Sequence, residues 1–278
     1  MVAQQQQQGR AVVVALVAAG LMVCGTACSG GGPAAEDVST GAGTAETLRQ
    51  AAGALERAGT AKASTSMEMA TGGTRVTIRG QGVYDFRKQT GRLKVLLPQD
   101  PAGTAEHRPI TELLAPGALF MKNRGAGVPA DKWVRVATGG LTDGNLVTGG
   151  ATDPYAAAEL LRGARAVTYV GKTELAGVPV RHYRGTADLD VAARDASRGQ
   201  RPALRAAAKG FATTEVPFDA YLDDQGRLRK VRHRFSFVNG QQEGTVAVAS
   251  TILLYEFGSP ADVRLPDSAD IFAGKIAD

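Results

Sequence analysis

The chain has 278 residues, a formal net charge of +5 and two cysteines. Acidic and basic residues alternate along most of it, so the positive balance reads as a solvated surface and gives no reason to expect a nucleic-acid partner. Cys24 and Cys28 both lie near the N-terminus, which leaves the rest of the chain without disulfides and dependent on burial alone.

Residues 1–27 have the order of a secretory leader: a polar start with Arg10 as its one charge, an apolar run over residues 11–23, then small residues. That run is 13 residues long, whereas a bilayer-spanning helix needs roughly 20. Gly25-Thr26-Ala27-Cys28 resembles a bacterial lipoprotein signal, in which the cysteine sulfur receives a diacylglycerol, although leucine would be usual where Gly25 stands. Val23, directly before Cys24, is bulky for the peptidase, so Cys28 is the expected lipidation residue. The alternative is an ordinary leader cut near Ala27, with Cys28 left as a thiol. With acyl chains attached the protein is held firmly, because two chains anchor where one is marginal. The predicted location is therefore the extracytoplasmic face of the cell membrane. Residues 28–43, rich in glycine, alanine and serine, read as a flexible tether, and residues 44–278 as a single domain.

A helix is predicted from Thr44, its expected N-cap, to Gly59, with Leu48, Ala51, Ala52 and Leu55 at helical spacing. The period then changes to two. Ala63, Thr65, Met67 and Met69 alternate with polar neighbours, and Val76 and Ile78 follow Gly72-Gly73, which predicts a hairpin. Residues 83–86 and 93–97 read as a second strand pair, and residues 119–122 and 133–137 as further strands. A glycine- and threonine-rich stretch over 138–152 leads to a second helix with Asp153 as N-cap and Pro154 in its first turn. Strands return at 166–170 and 178–184, and short helices broken near Arg201-Pro202 are expected in 188–210. Three long antiparallel strands, 215–222, 228–238 and 245–257, close the pattern. Nine or more antiparallel strands with helices gathered on one side make an α+β fold around a curved sheet.

No catalytic signature declares itself. Gly171-Lys172-Thr173 lacks the upstream glycine and the following helix of a phosphate-binding loop. His107, His182 and His233 are far apart, which gives a metal site no support. No serine sits in a Gly-x-Ser-x-Gly turn. The chain is read as a non-enzyme without cofactor or metal. Arg227, Arg229, Lys230, Arg232 and Arg234 form the one dense basic run. They are candidates for lipid head groups at an anionic membrane surface, against the plainer reading of a solvated sheet face with Val231, Phe235 and Phe237 turned inward.

The apolar strand faces are normally core. Alanine-rich helices and few aromatics suggest room between helix and sheet, and Met67, Met69, Val76, Ile78, Tyr84, Phe86, Leu93, Val95, Leu97, Phe120, Val134, Leu160 and Phe218 are the candidates to line a cavity there.

The order and spacing of several segments resemble the actinobacterial LppX/LprG lipoprotein family, which is similar in fold to the LolA and LolB carriers. They are residues 45–55, Gly82-Val83-Tyr84-Asp85, Lys132-Trp133-Val134-Arg135-Val136, Asp153-Pro154 before Leu160-Leu161, Gly177 through His182-Tyr183-Arg184-Gly185-Thr186, residues 223–229, and Phe257-Gly258 leading to Pro266. The resemblance implies a half-barrel antiparallel sheet whose concave face is covered by helices, enclosing an apolar cavity for an acylated lipid or glycolipid. It implies a membrane-tethered binder or carrier; the chain is expected to be a monomer, with an envelope transporter as a candidate partner. The rival is an envelope interaction or sensing module with the same fold, a filled core and no lipid.

Overall fold

The computed structural model describes residues 41–71, 73–98, 108–125, 127–238 and 245–274. The leader, Cys28 and His107 lie outside them. The chain divides into a unit of residues 1–38 and a unit of residues 39–278, and the following concerns the second.

Its N-terminal helices are α1 (Gly41–Arg49) and α2 (Ala51–Ala58). Thr44 lies inside α1, buried, instead of capping it. Gly59 ends α2 with a positive φ and donates its N–H to the carbonyls of Leu55 and Glu56.

The sheet has eleven strands, every neighbouring pair antiparallel, and is not closed into a barrel. In chain order they are β1 (Thr60–Thr71), β2 (Thr74–Asp85), β3 (Thr90–Leu96), β4 (Ile110–Ala115), β5 (Ala118–Lys122), β6 (Val134–Ala137), β7 (Ala164–Leu175), β8 (Val178–Asp188), β9 (Glu215–Leu222), β10 (Leu228–Val238) and β11 (Thr245–Tyr255). In space the order is β6-β5-β4-β3-β2-β1-β11-β10-β9-β8-β7, so the first and last strands meet at the centre, Met67 opposite Ser250.

Three differences from the sequence expectation have plain causes. Residues 83–86 mostly finish β2 instead of forming a strand of their own, because Gly80 and Gly82 interrupt the apolar alternation without interrupting the strand. A Cβ at Gly82 would stand 1.8 Å from the Arg92 carbonyl oxygen on β3, so glycine there lets two backbones approach closely. β4 carries apolar residues on both faces and so hides its period of two. Thirdly, the C-terminal tail after β11 crosses the sheet. Trp133 N–H donates to the Asp270 carbonyl and Phe272 N–H to the Trp133 carbonyl, each at 2.8 Å.

Strand alternation sorts the side chains. One face carries Ala61, Ala63 and Met67 of β1, Ile78 and Tyr84 of β2, Leu93 and Val95 of β3, and Val248, Ile252 and Leu254 of β11. With the helices they form one core. The helices on that concave face are α1, α2, α3 (Pro154–Leu160), α4 (Leu189–Asp195) and α5 (Arg201–Gly210). Asp153 caps α3, accepting from the N–H groups of Tyr155 at 2.7 Å and Ala156 at 3.3 Å. On the other face Leu113, Ala115, Ala118 and Phe120 pack under Trp133, Val263 and Ile271.

Candidate functional site

Twelve of the thirteen cavity candidates belong to the concave core: Met67, Met69, Val76, Ile78, Tyr84, Phe86, Leu93, Val95, Leu97, Val134, Leu160 and Phe218. Phe120 does not, and that expectation is corrected. Leu119 and Met121 on either side of it face the helices, so Phe120 points to the opposite face and packs beneath the C-terminal tail.

The concave face has two regions. Around Tyr84, Phe86, Leu93, Val95, Leu160 and Phe218 it is packed tight, since each of these is 0% exposed and no space for a water molecule adjoins them. Tyr84 and Phe86 have ring centroids 5.0 Å apart, and Phe86 meets Tyr155 at 6.4 Å. The alanine-rich helix faces were expected to leave room here; instead Ala51, Ala52, Ala156, Ala157 and Ala158 are all buried, because small side chains let helices settle closer to a sheet. The cover is fastened at two points. The Tyr84 hydroxyl donates to Asp153 at 3.3 Å, and Thr152 and Ser250 hydroxyls are 2.6 Å apart.

Towards the end where β1 turns into β2, β3 leaves for β4, and β5 leaves for β6, the core loosens. Met69, Val76, Leu97 and Val128 are only partly buried there while still packed against the core. A pocket of about 250 Å³ lies at this end, its lining including Leu97, Ile110 and Val128.

Two ionisable groups on the concave face escape the sequence reading. Glu112 on β4 stands opposite Leu93 and Met121, is 0% exposed, and neither carboxylate oxygen has a hydrogen-bond partner among the described residues. Burial pushes its carboxyl up to about 8, against the lowering influence of Arg124. His233 on β10 lies between Phe218, 6.4 Å away, and Phe235, 5.8 Å away, with Nε2 unpartnered among the described residues. Burial lowers its imidazole to about 3. Glu112 was missed with its strand. His233 was named, but only as an isolated histidine, and its inward position follows from the alternation Val231, His233, Phe235.

Lys230, Arg232 and Arg234 lie on the strand face away from the helices, while Val231 and Phe235 turn inward; Arg227 precedes β10, Arg229 sits at the register shift between Leu228 and Lys230, and the Phe237 side chain is outside the described residues. Arg227 pairs with Asp223 at 2.8 Å and Arg229 approaches it at 4.0 Å, both guanidinium groups sitting over Phe257. Lys230 lies over Tyr221, Arg232 pairs with Glu68 at 3.4 Å, and Arg234 with Asp219 at 2.8 Å. Asp219 also meets His182 at 2.9 Å and Arg184 at 3.0 Å. Burial would raise its carboxyl, but hydrogen bonds from Arg234, His182 and Arg184 hold it down at about 2. Four of the five cations thus face a carboxylate, Arg227 and Arg229 sharing Asp223, while Lys230 meets only an aromatic ring.

No group of three or more His, Cys, Asp and Glu among the described residues is placed to hold a metal, and no described helix is long and apolar enough to cross a membrane.

No family model matches this chain, nor does any curated protein. Solved structures similar to it include the lipoprotein LppX from Mycobacterium tuberculosis, at 9% identity and a TM-score of 0.46, covering 81% of this chain and 100% of that one. They also include LprF from Mycobacterium bovis, at 13% identity and a TM-score of 0.39, covering 81% of this chain and 97% of that one.

Proposed function

We propose that this is a lipid-anchored extracytoplasmic protein, without a catalytic role, that binds the acyl chains of a lipid or glycolipid along the concave face of its sheet. The observation that carries the reading is the run of apolar concave residues from the core out to Met69, Val76, Leu97 and Val128, where the cover stops short of the strand ends. Carrying two acyl chains through water costs on the order of 20 kcal/mol at ~0.8 kcal/mol per exposed CH₂, so a carrier must offer an apolar surface that water does not reach. The entry is the loosened end. Deeper access requires the cover to shift, and the cover is built of short helices and the 138–153 segment, tied to the sheet by the Tyr84–Asp153 and Thr152–Ser250 contacts. Lipidation at Cys28 keeps the protein at a membrane.

The rival reading, a filled-core interaction or sensing module, draws on the tightly packed half of the face and on a basic run most of which faces carboxylates. One experiment separates them. Full-length protein recovered from bacterial membranes is examined by native mass spectrometry and solvent extraction, then titrated with a fluorescent fatty acid. Co-purifying lipid, or saturable probe binding displaced by lipid, is the expected result. Protein that is free of lipid and takes up no probe refutes the carrier. The anchor is tested separately, since Cys28→Ala should move the protein from the detergent phase to the aqueous phase, and equal partitioning of the two forms would refute lipidation there.

A further inference from the structure

The pocket at the loosened end differs from the rest of the concave face in carrying charge. Arg108 and Arg124 line it beside the apolar walls of Leu97, Ile110 and Val128, and no carboxylate is among its lining residues. Neither guanidinium makes a hydrogen bond or ion pair among the described residues. The remaining polar side chain, Asn123, already donates to the Pro109 carbonyl at 3.2 Å. Glu112 sits one same-face step further into the sheet than Ile110, fully buried and with both oxygens unpartnered among the described residues. Among the described residues neither oxygen of this buried carboxyl is hydrogen-bonded, which is destabilising, and Arg124 is the cation that acts on it electrostatically.

We propose that this pocket binds a phosphate group, with Arg108 and Arg124 pairing with its charge, and that Glu112, buried and neutral near Arg124, leaves the Arg124 charge uncompensated. At about 250 Å³ the pocket holds a head group and not acyl chains, and it opens where the apolar face runs out, so a lipid phosphate would sit here with its chains directed into the core. This identification of the ligand rests on the acyl-binding reading above. Protonation matters because a neutral carboxyl leaves the charge of Arg124 to the anion, whereas an ionised one would offset it. Burial keeps Glu112 neutral up to about pH 8, opposed by Arg124. On the neighbouring strands it faces the uncharged Leu93 and Met121. Asp143, in the segment whose Gly149 packs on Leu119 of β5, has its carboxylate engaged by the N–H groups of Asn145, Val147 and Thr148.

Calorimetric titration of the full chain with dihexanoyl phosphatidylglycerol below its micelle concentration, and separately with inorganic phosphate, tests the assignment. Arg124→Ala should weaken binding of the lipid by about tenfold or more, as expected for loss of a charge-assisted contact. Between pH 7 and 9.5, where the lipid keeps a constant single charge, the wild-type affinity should fall by roughly tenfold, and Glu112→Gln, which cannot ionise, should remove that fall. Binding of phosphate alone, with the same dependence on Arg124, would sustain the subsite as a site for the free anion and count against the acyl reading. Lipid binding that neither substitution alters would overturn the subsite and leave the acyl reading standing. Failure of wild type to bind either compound would overturn the subsite outright.

Discussion

Replacing Glu112 by Gln should stabilise the protein, and by an amount that grows with pH. In the unfolded chain the carboxyl ionises near 4.5, and in the fold only near 8. Between those values the native state holds a proton that the unfolded state has lost, so stability falls as pH rises through the window and the loss is complete above the folded value. The gap between the two values corresponds to about 4 to 5 kcal/mol at 1.36 kcal/mol per unit, an upper figure for a group that is fully buried. Gln has nearly the same shape and cannot ionise, so it removes this penalty while keeping the packing against Leu93 and Met121. Urea unfolding of wild type and Glu112→Gln at pH 5, 7 and 8.5 measures the difference directly, because every other titrating group is common to both and cancels. The two proteins should be nearly equal at pH 5, with the variant ahead by several kcal/mol at pH 8.5. A difference that does not change with pH would refute the reasoning, since it would mean that Glu112 is no harder to ionise in the fold than in the unfolded chain.

His233 presents the opposite sign. Its folded value of about 3 lies below the ordinary 6.5, so its contribution is intact above 6.5 and lost as pH falls through the window. His233→Phe should therefore shift the acid-unfolding midpoint to lower pH, and an unchanged midpoint would count against a buried neutral imidazole. Gly82→Ala should destabilise by about 3 kcal/mol or more, a size seen when a core must absorb a hard clash, because its Cβ would overlap the Arg92 carbonyl; thermal melting within about 1 kcal/mol of wild type would show that β2 and β3 can part there without cost. Asp219→Asn leaves His182, Arg184 and Arg234 without the carboxylate they share. A loss of about 1 kcal/mol that shrinks with added salt is expected, since Arg184 and Arg234 are substantially solvent-exposed. A loss indifferent to salt would point to packing instead of charge.

The residues that announce themselves locally could be read without a structure. Asp153-Pro154 marks the start of α3 because a carboxylate cap and a proline with no N–H to satisfy both suit a helix beginning, and the structure has Asp153 accepting from two of the first N–H groups. The strands 215–222 and 228–238 have the boundaries that alternation predicted, and the third agrees to within two residues, because each strand has one wet and one dry face. β4 stayed hidden because it is apolar on both faces, packed by helices on one side and by a tail from the far end of the chain on the other. No local pattern records that second cover. Phe120 was misplaced for the same reason: an aromatic residue on a strand looks the same whichever face it serves.

The chain by itself thus determined the period of each segment, the turns between them and the gathering of helices on one side of an antiparallel sheet, since these depend on neighbours a few residues away. Only the tertiary structure decided how closely alanine-bearing helices approach the concave face, which cations of the basic run find acids on other strands, and that a glutamate would be sealed among apolar groups. Those outcomes are set by side chains distant in sequence and brought together by the register of eleven strands, and pairing at that range leaves no trace in local periodicity.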